Sequence, residues 1–246
     1  MVRLSLLLFA SLTCSVLTAQ GRERPYFRGS LGLAGGSFDF MTDTGSLDDD
    51  TDAGLFQLEF EATSPGGIGG GIRYEGLATD DDLFVVNGTP PTEARSGSLF
   101  AHFTYRVEEH RFAIPIRIGL LLNGLTLEDD AGFETTYASI GPYFEVEPEL
   151  TLVRRGGFRW SLYGLLGVGA AATAIDVDQD FRDYESSTGF VGLEAGTRLR
   201  AGPAEFGVGY VGRFQSMDES DVEAGQVVLG YDADFHGVLF TFGLVF

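Results

Sequence analysis

The chain is poor in three features that commonly define the class of a protein. Cys14 is its only cysteine among 246 residues, so an intramolecular disulfide is excluded. Beyond residue 25 there is no run of 18 apolar residues, which excludes a transmembrane helix. The basic residues number 16, all arginine, against 36 acidic ones, and a net charge of −20 would repel nucleic acid, which is therefore excluded as a main partner.

The N-terminus has the pattern of an export signal. An arginine near the start is followed by an apolar run and then by small and polar residues. We predict a signal peptide over residues 1–19, an N-terminal segment over 20–25 and one domain over 26–246, since no Pro- or Ser-rich linker follows. Thr13 precedes Cys14 where a lipoprotein signal has a smaller residue, which argues against lipidation.

The rest of the chain alternates between apolar and polar residues in segments of about ten, the length that a tilted strand needs to cross a bilayer. In the last segment Val238, Phe240, Phe242, Leu244 and Phe246 share one face. Glycine, with 35 residues, suits many short strands that approach each other closely. Ten segments of this kind can be distinguished.

Ten segments predict an all-β fold, a closed up-and-down antiparallel transmembrane β-barrel, with eight or twelve strands as alternatives. A soluble β-sandwich also alternates, and its apolar face would be its core. Two features favour the barrel: tight turns alternate with long connections along the chain, and the polar face is rich in Arg and Glu.

The face opposite the apolar one carries charges of both signs in nearly equal number. Buried charges must pair or cost several kcal/mol each, so we predict a salt-bridge network that largely occludes the lumen. Ten strands enclose a space well below that of an open channel. The residues assigned to this network are Arg28, Glu59, Glu61, Arg73, Glu75, Arg106, Arg117, Glu145, Glu147, Arg159, Glu194, Arg198, Arg200, Glu205 and Arg213.

These features together resemble the small outer-membrane β-barrel proteins of Gram-negative bacteria. The resemblance covers the predicted mature chain and implies an integral outer-membrane location, with lipid and lipopolysaccharide as surroundings. In that group a terminal Phe with alternating apolar residues is similar to the signal read by the barrel-assembly machinery. The resemblance assigns this insertion signal to Phe240, Phe242, Leu244 and Phe246.

The excess of negative charge falls in the five long connections, which strand direction places outside the cell. Asp176 to Asp180 have the alternating carboxylates of a calcium loop, but Phe181 replaces the glycine of its sharp turn and Ser187 replaces its closing Glu. An EF-hand is therefore excluded, and no cofactor is expected. Loose binding of divalent cations and a solvated acidic surface both remain open. The candidates for cation binding are Asp48, Asp49, Asp50, Asp80, Asp81, Asp82, Asp176, Asp178 and Asp180.

Three functions are compatible with this pattern. The first is a non-enzymatic structural or surface-interaction barrel with an occluded lumen, and the second is a small porin-like pore for cationic or neutral solutes. The third is an outer-membrane hydrolase, because the chain is similar to the omptin proteases in having Asp80 to Asp82 and the sequence Asp234-Phe235-His236. The alternation places Asp234 and His236 on the outward face, away from any cleft, which disfavours the enzyme.

Overall fold

The computed structural model describes residues 25–42, 50–79, 91–129, 132, 134–178, 184–221 and 227–246. The predicted signal peptide and most of the N-terminal segment lie outside these ranges. Within them every regular element is a β-strand, and no helix is long and apolar enough to cross a membrane. The strands are β1 (Tyr26–Thr42), β2 (Asp50–Thr63), β3 (Ile68–Thr79), β4 (Pro91–Glu109), β5 (Phe112–Asp129), β6 (Glu134–Val146), β7 (Glu149–Arg155), β8 (Phe158–Val177), β9 (Tyr184–Ala201), β10 (Ala204–Met217) and β11 (Tyr231–Val245).

The strands form one antiparallel sheet that closes on itself. β1 pairs with β2 on one side and with β11 on the other, so the first and last strands meet. β6 and β7 both lie between β5 and β8 and together make one barrel strand, interrupted at Pro148, which has no N–H to donate. The eleven elements therefore build a closed ten-stranded barrel, and the predicted fold is confirmed.

The two ends of the barrel differ in their connections. At one end, here called the turn end, the start of β1 meets the end of β11 and the strands are joined by tight turns. Gly67, Gly156 and Gly202 adopt positive φ there, and so does His110. A Cβ on Gly67 would lie 2.4 Å from the carbonyl oxygen of Arg106, so this turn requires glycine. The opposite end, the loop end, carries the longer connections, as expected.

A belt of exposed apolar side chains surrounds the barrel next to the turn end. Such a surface would be unfavourable in water, and it matches the lipid-facing band of a barrel that spans a bilayer. The apolar face predicted for the last segment, from Val238 to Phe246, is part of this belt, and apolar residues of the other nine barrel strands complete it. The belt includes Phe27, Leu31, Leu33, Phe60, Ile68, Ile72, Leu99, Phe103, Phe112, Ile118, Leu120, Leu122, Ile140, Phe144, Trp160, Leu166, Val168, Val191, Leu193, Leu199, Phe206, Val208, Val238, Phe240, Phe242, Leu244 and Phe246.

Above the belt the strands continue toward the loop end, and their polarity inverts. Phe38 and Phe235 point into the barrel and are 4% and 1% exposed, whereas Asp39 and Asp234 beside them lie on the outer wall. The outward position of Asp234 follows the predicted alternation, but the apolar inward side chains of Phe38 and Phe235 were not predicted. The strands are also longer than predicted, so the long connections are shorter. Several acidic residues predicted to lie in those connections lie at the ends of strands: Asp39, Asp50, Asp52, Glu93, Glu128, Glu134, Asp176, Glu185, Asp232 and Asp234.

Candidate functional site

The lumen within the belt contains a layer of paired charges centred on Arg117, which we call the ionic layer. Arg117 is 1% exposed and its guanidinium contacts four carboxylates. Its Nε donates to Glu61 at 2.7 Å, and its Nη1 donates to Glu145 at 2.5 Å and to Glu147 at 2.8 Å. Glu59 lies 3.4 Å from Nη2. These partners come from β2, from β6 and from the Pro148 interruption, so the network joins opposite walls of the barrel.

Other inward arginines extend the layer on both sides of Arg117. Arg28 lies 3.2 Å from Glu205 and 3.5 Å from Glu59. Arg73 bonds Glu145 at 2.6 Å, so two arginines share this fully buried carboxylate. The network contains two further arginines from β9 and β10: Arg198, paired with Glu147, and Arg213, paired with Glu75 and Glu194.

Three residues assigned to the network lie nearer the turn end and pair less extensively. Arg106 stacks on the ring of Tyr26, 4.6 Å from its centroid, and its nearest carboxylates are 3.7 and 3.8 Å away. Arg159 bonds Glu149 at 2.9 Å. Arg200 donates to the carbonyls of Gly202 and Val245. These side chains line the turn-end mouth rather than the centre of the ionic layer.

Four further inward polar residues belong to the site: the sequence argument missed Glu149 and Glu108, and it placed Gln57 and His102 on the inward face without assigning them to the network. Glu149 continues the spacing of Glu145 and Glu147 across Pro148, so the alternation alone could have identified it. Glu108, at the end of β4, likewise continues the inward face of its strand. Gln57 donates to Glu75 at 3.0 Å, and His102 stacks on Phe100 and lies 3.8 Å from Glu61.

A second layer of buried side chains lies in the lumen between the ionic layer and the loop end, and we call it the apolar layer. Tyr231 is its centre, 1% exposed, with its ring 5.2 Å from that of Phe40 and 4.9 Å from that of Tyr137. Aromatic and aliphatic side chains from opposite walls thus meet across the axis. The layer consists of Phe38, Phe40, Leu55, Leu125, Leu127, Tyr137, Ile175, Tyr184, Met217, Tyr231, Phe235 and Leu239 with smaller residues between them.

The candidate cation ligands are not brought together by the described part of the chain. Asp176 and Asp178 are exposed near the end of β8, and Asp50 begins β2 on another wall. Among the described residues no three His, Cys, Asp or Glu side chains form a group that could hold a metal ion. Asp48, Asp49, Asp80, Asp81, Asp82 and Asp180 lie outside the described residues.

The omptin-like residues that the structure describes lie on the outer wall. Asp234 and His236 flank the inward Phe235 on β11, and the imidazole of His236 is 3.9 Å from the carboxylate of Asp39. Partial burial raises the pKa of Asp234, and the nearby carboxylates of Asp232 and Asp39 raise it further. This cluster faces away from the lumen and from any cleft inside the barrel.

Comparisons with known proteins identify the fold and nothing finer. No protein-family model matches the chain, and no curated protein matches it in sequence. The outer-membrane protease OmpT from Escherichia coli is similar in structure, with a TM-score of 0.53, 13% identity, and 91% of this chain and 97% of that one covered. The translocator domain of autotransporter NalP from Neisseria meningitidis has a TM-score of 0.40 and 9% identity, with 94% of this chain and 91% of that one covered. The Pseudomonas putida toluene transporter TodX has a TM-score of 0.33 and 9% identity, with 94% of this chain and 93% of that one covered. The chain therefore has the fold of outer-membrane β-barrels.

Proposed function

We propose that the protein is a non-enzymatic, non-conducting barrel of the bacterial outer membrane, whose acidic loop end contacts ions or surface partners. The observation that carries this proposal is the burial of Arg117 at 1% exposure among four glutamates inside the belt. A side chain that water does not reach, held from opposite walls, leaves no aqueous path at that level. The barrel thus serves as a scaffold that holds its loop end outside the cell.

The apolar layer supports the same proposal independently. Phe235, Tyr231 and Leu125 each are 1% exposed although they point toward the barrel axis. Hydrophobic constrictions exclude ions by dewetting even where some space remains. The lumen is therefore closed twice, first by paired charges and then by packed apolar side chains. The first closure depends on salt bridges and the second on apolar packing, so a substitution in one layer should not open the other.

Single-channel recording in planar bilayers tests the proposal. The wild type should show no steady current at low voltage. Replacing Arg28, Arg73 and Arg117 by alanine should open only the ionic layer, and replacing Phe38 and Phe235 by alanine should open only the apolar layer. Each set alone should leave the barrel closed, whereas the two sets combined should conduct, with cations favoured by the acidic loop end. Heat-modifiable migration on gels verifies that every variant is folded.

Two outcomes would contradict this reading. A wild type that conducts steadily would promote the small pore for cationic or neutral solutes, the second candidate. Conductance after opening the ionic layer alone would show that the apolar layer does not close the lumen. An assay with fluorogenic peptides addresses the hydrolase, and cleavage by the wild type that His236→Ala abolishes would establish an enzyme instead.

A further inference from the structure

The boundary between the two layers contains a cavity that neither layer fills. Its volume is about 90 Å³. Arg73, Glu75 and Arg213 of the ionic layer form its floor, and Phe38 and Phe235 of the apolar layer lie on the opposite side. It thus lies inside the lumen where the inward face changes from charged to apolar. Two layers of such different chemistry do not pack closely against each other there.

The walls of the cavity are largely aromatic and aliphatic. Phe100 and Tyr143 meet edge to face, with 4.9 Å between ring centroids, and Leu121 and Phe190 belong to the same cluster. All four are at most 9% exposed. A ligand in this space would therefore gain most of its binding energy from apolar contacts.

The charges of the floor are already neutralised by each other. Glu75 accepts from Arg213 at 2.6 and 2.8 Å and from Gln57 at 3.0 Å, and it lies 3.2 Å from Arg73. Arg213 also bonds Glu194. An ionic ligand would have to displace one of these partners, which favours a neutral ligand.

A small number of neutral polar groups converge on the cavity from three strands. Asn123 of β5 donates to Gln215 of β10 at 3.1 Å and lies opposite Ser98 of β4 in the register. Ser98 is among the residues that line the cavity, and its hydroxyl has no hydrogen bond to the described residues. A hydroxyl with no partner among the described residues is available to one polar atom of a ligand.

We propose that this cavity is a binding site for a small neutral molecule with an apolar body and one hydroxyl or similar group. The apolar body would lie against Phe100, Leu121 and Phe190, and the hydroxyl would bond Ser98. The volume is well below the roughly 150 Å³ of a cavity that accepts benzene, so the occupant is smaller than benzene and has about four heavy atoms. A short-chain alcohol has this size and chemistry.

Leu121 and Leu120 provide a matched pair of variants for the test. Leu121 lines the cavity and is 8% exposed, whereas its neighbour Leu120 points to lipid and is 46% exposed. The probe is 2-fluoroethanol, followed by ¹⁹F saturation transfer from the barrel in nanodiscs. Leu121→Trp should fill the cavity and abolish saturable transfer, and Leu120→Trp should retain the wild-type signal, including any background from lipid.

Ser98→Ala tests the hydroxyl without filling the cavity. Loss of one neutral hydrogen bond should weaken binding of the alcohol about 2- to 10-fold. Xenon, which has no polar group, should bind this variant and the wild type equally, as measured by ¹²⁹Xe chemical shift. Equal alcohol transfer in wild type and Leu121→Trp would overturn the proposal, since the space would then hold only water. Undiminished alcohol affinity in Ser98→Ala would overturn the assigned polar contact.

Discussion

At the scale of single residues, the arginine at the centre of the ionic layer is where the fold is most vulnerable. Removing Arg117 would leave Glu61, Glu145 and Glu147 buried close together with less positive charge between them. Breaking a buried ion pair from one side costs about 3–5 kcal/mol. We predict that Arg117→Ala lowers the free energy of unfolding of the refolded barrel by an amount of this order, which appears as a lower urea midpoint at unchanged slope.

Arg159→Ala is the control for that prediction. Arg159 bonds Glu149 near the turn end, and its side chain is 17% exposed, so water can solvate the glutamate that is left. Its midpoint should fall much less than that of Arg117→Ala. Equal losses in both variants would contradict a special role for the centre of the network.

On the outer wall, a single substitution is predicted to raise the stability of the barrel rather than to lower it. Asp39 and Asp234 face each other directly in the register of β1 and β11, and like charges in that position are destabilising by about 0.2–1 kcal/mol. The raised pKa of Asp234 means that the folded state disfavours its charged form. The resulting stability is present below the ordinary pKa of an aspartate and is lost as pH rises through the folded pKa.

We therefore predict that Asp234→Asn stabilises the barrel at pH 7. The gain should shrink as the pH is lowered through the acidic range, because wild-type Asp234 then becomes neutral as well. Urea midpoints of the two proteins at pH 3.5, 5 and 7 provide the measurement. A gain that is independent of pH would mean that charge repulsion is not its cause.

At the scale of elements, β11 carries the closure of the barrel. It pairs with β1 and β10, and Phe27 and Phe246 exchange backbone hydrogen bonds of 2.9 and 3.1 Å at the turn end. Phe242 packs on Phe206 of β10, with 5.1 Å between ring centroids. The last strand thus combines the final seam with an aromatic outer face.

We predict that Phe242→Asp impairs assembly in cells, because it places a charge on the lipid face and removes part of the predicted insertion signal. The cost of a charge on this face is about 2–4 kcal/mol at the midplane for basic residues and less for acidic ones. Phe242→Leu keeps an apolar side chain and should assemble normally. The readout is the heat-modifiable, protease-resistant fraction, and an unchanged fraction in Phe242→Asp would argue against the assigned role.

The elements also show how far a sequence pattern reaches. Strand number and lipid-facing residues follow from alternation, because the two faces of a strand have period two. The partners of Arg117 do not follow, since Glu61 is 56 positions away and meets it only through the curvature of the closed sheet. The apolar layer was missed because alternation continues through Phe38 and Phe235 while its polarity inverts. The signal that could have revealed the apolar layer is the point where apolar residues move from the outward to the inward positions of a strand while the period of two continues.

At the scale of the whole molecule, the orientation can be tested directly. Epitope tags inserted after Asp50, Asp82, Asp130, Asp180 or Glu219 should be reached by antibody on intact cells. Tags at Gly66, Gly156 or Gly202 in the tight turns should become accessible only after the outer membrane is permeabilised. An accessible tag at Gly156 with a hidden one at Asp180 would reverse the orientation.

The continuation of the strands beyond the belt determines the height of the molecule. β1 extends nine residues past Leu33, and β8 extends nine past Val168. At about 3.3 Å per residue and with the usual tilt, the wall rises roughly 20 Å above the hydrocarbon before any loop begins. Atomic force microscopy of reconstituted bilayers should therefore show tall protrusions on one leaflet and almost flat footprints on the other. A second molecule approaching the cell would meet this rigid rim before it met the lipid.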